Sequence, residues 1–217
     1  MTNKPHIRVA TPTGGKVDVG YLHSCLVLQK NFGIRGWGLN FTFKISPYVH
    51  RARNEMALQV INGDKYTHIL FIDSDIEFHP DTVAKMIELN KGIVTVVYPF
   101  KKYINGQLRY MGEPKEGAEQ QADGTIEVQK IGAGFLLIEK SILSELIPFC
   151  TKVRYDTSSE ESGEINEKTR IETWNFFDFT YDENNVELGE DISFCAKCEK
   201  AGIPIWTLLS ENLVHWG

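Results

Sequence analysis

Four cysteines in 217 residues are too few for a disulfide scaffold, and no set of four well-spaced ligands marks a structural zinc site. Cys195 and Cys198 form a Cys-x-x-Cys, but the pattern of Asp191, Ile192 and Phe194 around them is helical. These two, like Cys25 and Cys150, read as small thiols, buried or partly buried. Positive charge is also short. The 23 Lys and Arg stand against 29 Asp and Glu, a net charge of -6 that disfavours a sequence-independent grip on DNA or RNA. There is no internal repeat, no apolar run of membrane-spanning length, and no signal-peptide core in Met1-Thr2-Asn3-Lys4-Pro5-His6. These absences point away from a nucleic-acid polymer partner and from a transmembrane segment. They suit a cytoplasmic protein or a soluble piece of something longer.

What remains is ordinary for a globular chain, 42% hydrophobic and 24% charged, with length for one large domain or two small ones. No linker divides it, so a single domain over 1–217 is expected. Ile7 to Ala10 reads as a first strand running into the loop Thr11-Pro12-Thr13-Gly14-Gly15. Tyr21, Leu22, Cys25, Leu26 and Leu28 predict an amphipathic helix over 20–30. A strand over 39–45, a helix over 49–62 and a buried strand over 69–72 follow, and His79-Pro80-Asp81 starts another helix. Residues 93–97 and 131–138 read as buried strands, with short antiparallel ribbons at 107–111 and 125–129 between them. A helix at 140–147, a polar stretch at 151–170 expected to be a mobile loop or lid, a helix at 190–201 and a strand at 205–209 complete the chain. The expected fold is mixed α/β: a mainly parallel central sheet flanked by helices, with a smaller antiparallel region.

Thr67-His68-Ile69-Leu70-Phe71-Ile72-Asp73-Ser74-Asp75 ties this organisation to chemistry. Its apolar run reads as a buried parallel strand, and ligands of open α/β sheets sit beyond the carboxyl ends of the strands. Asp73 and Asp75 lie there, one residue apart, where two carboxylates can share a hard cation that in turn holds a diphosphate. The same residues also make an ordinary turn. Thr13-Gly14-Gly15-Lys16 fails the Walker spacing, which needs Gly where Ala10 stands and Ser or Thr where Val17 stands. Arg51, Arg53 and Asn54 open a helix whose dipole opposes their charge, an arrangement explained by an anion in front of them or by solvation. Asp191, in the first turn of a helix, is either a terminal stabiliser or a base for a hydroxyl proton. His215 is either structural or an imidazole ligand to a carboxylate-held metal. Trp174, Phe176 and Phe177 read as core, or as a flat wall beside a sugar.

Taken in order, these features resemble glycosyltransferases of the GT-A fold, close to the broad family-2-like group. The resemblance runs over nearly the whole chain: the opening strand with Thr11-Pro12-Thr13, Ala52-Arg53-Asn54, Asp73-Ser74-Asp75, Gly132-Ala133-Gly134-Phe135, Phe176-Phe177-Asp178, Gly189-Glu190-Asp191 and His215. It implies a nucleotide-sugar donor, with UDP-sugar favoured, and a divalent cation, Mn²⁺ or Mg²⁺. It implies that Asp75, helped by Asp73, and His215 hold the metal, and that Thr11, Thr13, Arg53 and Asp73 surround the nucleoside and ribose. Gly134 would let the backbone approach the sugar, and Asp191 would serve as the base of an inverting transfer. Glu160, Glu161 and Glu164 are alternative bases. The acceptor would be a glycan, a lipid or a protein. The nucleotide half would cover about 1–100 and the acceptor half about 101–217. The compact length resembles a viral or phage member, or one domain of a longer enzyme.

Three rivals remain at this point. A phosphohydrolase of the haloacid-dehalogenase type also places Asp-x-Asp after a strand, but continues into Gly and Thr or Val where this chain has Ile76-Glu77. A sugar-nucleotide nucleotidyltransferase needs a Gly-rich basic loop after its first strand, which Thr13-Gly14-Gly15-Lys16 supplies only in part. A carbohydrate-binding module would need no metal.

Overall fold

A computed structural model describes residues 4–101, 107, 109–156 and 170–216. β1 (His6–Thr13) is followed by α1 (Val19–Arg35), β2 (Gly38–Ile45), α2 (Val49–Ile61) and β3 (His68–Ile72). β1 runs past the expected stop at Ala10, because Thr11, Pro12 and Thr13 pair in register with Phe43, Lys44 and Ile45 of β2. α1 also outlasts its expected end. Asp18 accepts from the Gly20 amide at its start, while Tyr21, Cys25, Leu28 and Phe32 carry the core stripe. Gly36 then ends the helix at φ 66, a left-handed conformation that glycine adopts without strain.

Next come β4 (Ile76–Glu77), α3 (Pro80–Glu88), β5 (Ile93–Thr95), β6 (Gly112–Pro114), β7 (Thr125–Ile131), β8 (Phe135–Glu139) and α4 (Lys140–Leu146). The remainder holds β9 (Lys152–Asp156), β10 (Arg170–Trp174), β11 (Thr180–Tyr181), β12 (Glu187–Leu188), α5 (Glu190–Lys200), β13 (Ile205–Leu208) and β14 (Val214–His215). The ends of the polar stretch expected to be a loop are therefore a ribbon, with β9 antiparallel to β10. Alternating Val153 and Tyr155 face Thr173 and Ile171 there, and the Thr173 hydroxyl donates to the Asn54 carbonyl of α2 at 3.1 Å. Residues 157–169, the centre of the expected lid and the home of Glu160, Glu161 and Glu164, lie outside the described residues.

Among the described residues, eight strands form the central sheet in the order β2-β1-β3-β8-β5-β13-β7-β6. Six of them point one way, and β8 and β7 run against the rest. This is the mixed, mainly parallel sheet that the strand and helix pattern predicts. The pairs β9–β10, β11–β12 and β4–β14 form its antiparallel fringe.

The run Ile69 to Ile72 is apolar at consecutive positions because helices cover both faces of the sheet. Ile69 and Phe71 pack with Met56 and Val60 of α2, Leu143 of α4 and Phe194 of α5. Leu70 and Ile72 pack with Tyr21 and Leu28 of α1 and Val83 and Met86 of α3. Each of these side chains contributes about 1.5–3 kcal/mol when fully buried, so β3 presents its acidic end from a rigid base. Among the described residues, no helix is long and apolar enough to cross a membrane.

Candidate functional site

The turn Asp73-Ser74-Asp75 leaves the carboxyl end of β3, and the antiparallel strand β8 brings glycines to it. Ile72 pairs with Phe135, so the Asp73 amide donates to the Gly134 carbonyl at 2.9 Å. The Gly134 amide donates in turn to the Tyr98 hydroxyl at 3.2 Å. A Cβ at Gly134 would stand 2.6 Å from Tyr98 Oη and 2.8 Å from Asp73 Oδ2, too close for a side-chain carbon. A side chain here would have to push one or both of those groups aside.

α2 delivers Arg53 into the same corner, only 3% exposed. Its Nη2 donates to Asp73 Oδ1 at 2.9 Å and its Nη1 to Glu190 Oε1 at 2.7 Å. Burial by itself would lower the guanidinium pKa, but Asp73 and then Glu190 outweigh it, and Arg53 is held above the ordinary arginine range. Arg53 is thus not solvated, and two protein carboxylates face it. Arg51 turns away, with Cζ 4.4 Å over the Tyr48 ring and 5.2 Å over that of Tyr155.

Asn54 serves a different purpose. Its Nδ2 donates to the Phe177 carbonyl at 2.8 Å and to the Tyr155 hydroxyl at 2.9 Å, and its Oδ1 accepts from the Phe177 amide at 2.9 Å. It therefore pins the segment Phe176-Phe177-Asp178, whose Asp178 is held by Ser193 and Lys197 of α5. Phe176 and Phe177 are fully buried, and Phe177 stacks on Phe194 at 4.8 Å. They are core, and Trp174 packs partly buried against the same cluster.

Asp191 follows Glu190 in the first turn of α5 and is itself partly buried. Burial first, and the charge of Glu190 second, raise its pKa above the usual carboxylate range; the Ile192 amide and Arg53 pull the other way. A carboxylate that holds its proton this firmly is a stronger base once ionised.

The expected metal set divides. β14 pairs antiparallel with β4, His215 opposite Ile76, and the Trp216 amide donates to the Asp75 carbonyl at 2.9 Å. His215 Nδ1 lies 3.0 Å from the Pro99 carbonyl, which can only accept, so Nδ1 carries a proton. Nε2 faces Asp75 Oδ1 at 3.6 Å. Lys101 donates to the other oxygen of Asp75. Asp73 does not join them, and among the described residues no three His, Cys, Asp or Glu side chains group to hold a metal ion. The reason is the buried guanidinium, which needs a counter-charge and takes Asp73. Asp75 and His215, with the ring tied to a backbone carbonyl, still make a donor pair suited to a divalent cation.

Thr11 and Thr13 lie at the carboxyl end of β1. Thr11 is fully buried with its hydroxyl 2.6 Å from that of Tyr21. Thr13 Oγ1 donates to the Lys16 carbonyl at 2.6 Å and accepts from the Gly15 amide at 3.1 Å, so Thr13-Gly14-Gly15-Lys16 is a turn. The Asp18 amide ties this loop to the acidic turn through the Ser74 carbonyl at 2.8 Å.

No protein-family model matches the sequence, and no curated protein matches it either. Solved structures do match. The chain is similar to "A197 from STIV" over 98% of its own length and 86% of that chain, with a TM-score of 0.55 and 14% identity. It is also similar to GalNAc-T7, solved with UDP, GalNAc and Mn²⁺, over 100% of this chain and 45% of that one, with a TM-score of 0.54 and 8% identity. The fold is GT-A-like. At these identities the likeness is one of fold, and this chain spans less than half of the GalNAc-T7 chain.

On this GT-A-like sheet, Arg53, Asp73, Gly134 and Glu190 meet directly, and Asp75 meets His215. Three participants escape sequence reasoning. Tyr98 bridges the Gly134 amide and, edge-on at 5.2 Å, the His215 ring. Burial first and Asp73 second raise its pKa, so the phenol stays protonated. Glu190 is the second partner of Arg53, hidden by its place beside Asp191, and Lys101 sits at the edge of a segment with no periodic signal. A cavity of about 450 Å³ behind α5, lined in part by Glu127, Cys195 and Ile203, shares no lining residue with these groups.

Proposed function

We propose that this chain is a metal-dependent glycosyltransferase of the hexosyl type. It moves a sugar from a nucleotide-sugar, with UDP-sugar the favoured donor, to an acceptor hydroxyl with inversion. The observation that carries the proposal is the meeting of three groups at the carboxyl edge of a GT-A-like sheet: Asp73 bound by Arg53, Asp75 faced by His215, and Asp191 with its raised pKa. The UDP, GalNAc and Mn²⁺ named for GalNAc-T7 support the same reading. The whole chain would act as one catalytic domain, with the nucleotide in its first half and a glycan, lipid or protein acceptor in its second.

In this reading Asp75 and His215 would hold Mn²⁺ or Mg²⁺, which when bound would supply positive charge that stabilises the departing diphosphate. Asp73, fixed through Oδ1 on Arg53, turns Oδ2 to a ribose hydroxyl. Thr11 and Thr13 shape the strand end under the nucleoside through their bonds to Tyr21 and Lys16. Gly134 keeps the approach to the sugar clear. Asp191 takes the proton of the acceptor hydroxyl while that hydroxyl's oxygen bonds to the anomeric carbon. The bond from that carbon to the diphosphate oxygen breaks, and its electron pair leaves with the diphosphate. Attack opposite the leaving group inverts the configuration.

The test is a calorimetric titration of UDP-, GDP- and TDP-sugars with Mn²⁺ and with EDTA, on wild type and on Asp75→Ala. Metal-dependent binding of one nucleotide class, lost in the variant, is expected. Binding of none with metal present would sink the proposal and favour a phosphohydrolase.

A further inference from the structure

Near the start of α5 the chain exposes a row of rings that neither the donor nor the metal reading uses. β11 and β12 form a hairpin with Thr180 opposite Leu188 and Tyr181 opposite Glu187. That register continues toward Phe179 on one side and Gly189, the residue before α5, on the other. Phe179 is 52% exposed, although Phe176 and Phe177 just before it are fully buried. Its ring meets His50 at 5.4 Å and 82°, and His50 meets Tyr48 at 6.1 Å and 67°. Tyr48 and Tyr181 are also more than half exposed. His50 stands one turn before Arg53 on α2, and Arg53 donates to Glu190 at 2.7 Å, so the row lies toward the start of α5.

Exposed aromatic clusters of this kind mark binding surfaces. The near-perpendicular ring angles make separate flat facets, where an acyl chain would need a continuous trough. Polar edges stand between the facets. Burial first, and Arg51 second, push the His50 imidazole below its ordinary range, so it is neutral and able to bond a hydroxyl. Tyr181 donates to Glu187 at 3.3 Å, another polar edge. Flat apolar faces rimmed by hydrogen-bonding groups match a pyranose, which has a C–H face and a rim of hydroxyls. A nucleic-acid strand would need accessible cations, and Arg51 lies between the rings of Tyr48 and Tyr155.

We infer that Phe179, with His50 and Tyr48, forms an acceptor subsite that stacks a pyranose ring near the start of α5, and that the acceptor is a carbohydrate. The inference rests on the transferase reading for the role of Asp191, while sugar binding at the shelf is testable without it. Saturation-transfer NMR on the intact protein, with methyl glycosides of glucose, galactose, mannose and N-acetylglucosamine and with octyl glucoside, is the measurement. Ring C–H protons of at least one methyl glycoside should receive saturation. The effect should fall roughly fivefold or more in Phe179→Ala and return in Phe179→Trp, which restores a stacking face. Phe149→Ala, at another half-exposed phenylalanine, should leave it unchanged. Transfer to no methyl glycoside, or equal transfer in wild type and Phe179→Ala, overturns the inference. Transfer confined to the octyl chain overturns it in favour of a lipid. Calorimetry on the same samples separates the two readings: sugar contact at Phe179 without nucleotide-sugar binding sustains the shelf and removes the transferase.

Discussion

His215 Nε2 faces Asp75 Oδ1 across 3.6 Å while Nδ1 of the same ring is held by the Pro99 carbonyl at 3.0 Å. The carbonyl fixes the ring orientation and leaves one nitrogen for a cation. Asp75→Ala should abolish Mn²⁺ binding measured by electron paramagnetic resonance in the absence of nucleotide. His215→Ala should weaken it at least roughly tenfold, since even residues supporting a metal ligand cost that much. Asp73→Asn should leave it nearly unchanged, because Asp73 is turned to Arg53. A large loss in Asp73→Asn would mean that the three side chains act as one metal set after all.

Arg53 is the centre of a buried charge network. Removing it leaves Asp73 and Glu190 without the cation they share. Arg53→Ala should cost about 3 kcal/mol in urea unfolding, the low end for breaking a buried ion pair, since both carboxylates keep some contact with water. Arg53→Lys should recover only part of this, because one ammonium cannot reproduce two separately aimed N–H donors. Equal stability of Arg53→Ala and wild type would show that the network contributes nothing net.

Gly134 is specific to the close approach of Asp73 and Tyr98. Gly134→Ala should lower the melting temperature and weaken nucleotide-sugar affinity together. The added methyl meets Tyr98 Oη at 2.6 Å, so Tyr98→Phe in the same chain should restore part of the stability. It should not restore the affinity, because Asp73 Oδ2 at 2.8 Å is still displaced. Differential scanning fluorimetry and calorimetry on the single and double variants decide it.

Asp191 has a raised pKa in the folded chain, so folding favours its protonated form. Its contribution to stability is fully present below the ordinary carboxylate range near pH 3.9 and is lost as pH rises through the folded value. Asp191→Asn should therefore be more stable than wild type near neutral pH, by roughly 0.5–2 kcal/mol, with the difference closing toward acid. The same variant should lose transfer activity by about 10²–10⁴-fold. Melting curves from pH 4 to 8, with initial rates at neutral pH, test both halves. A variant less stable than wild type at neutral pH would contradict the assigned burden on Asp191.

Strand and helix positions were legible where the signal is local. The buried β3 run, Pro80 at the start of α3 and the helix bearing Cys195 and Cys198 all stand where spacing puts them. The extension of β1 through Thr13 was not legible, because a Thr-Pro-Thr run becomes strand only when β2 lies alongside it. The ribbon of β9 and β10 was masked in the same way, since its polar surroundings hide short alternating segments at its two ends.

By itself the sequence determined that a buried strand ends in Asp73-Ser74-Asp75, that glycines precede Phe135, and that Arg53, Asp191 and His215 are available. Those are properties of neighbouring residues, set by side-chain period and turn chemistry. Only the tertiary structure decided which of them meet. Arg53 reaches Asp73 over 20 positions and Glu190 over 137, while His215 reaches the Pro99 carbonyl over 116. α2 and α5, packed on the same face of β3, bring Arg53 to both carboxylates, and the last short pair β4–β14 carries His215 to its carbonyl. A buried cation then chooses the carboxylates that can be brought to it, a choice set by packing rather than by order along the chain.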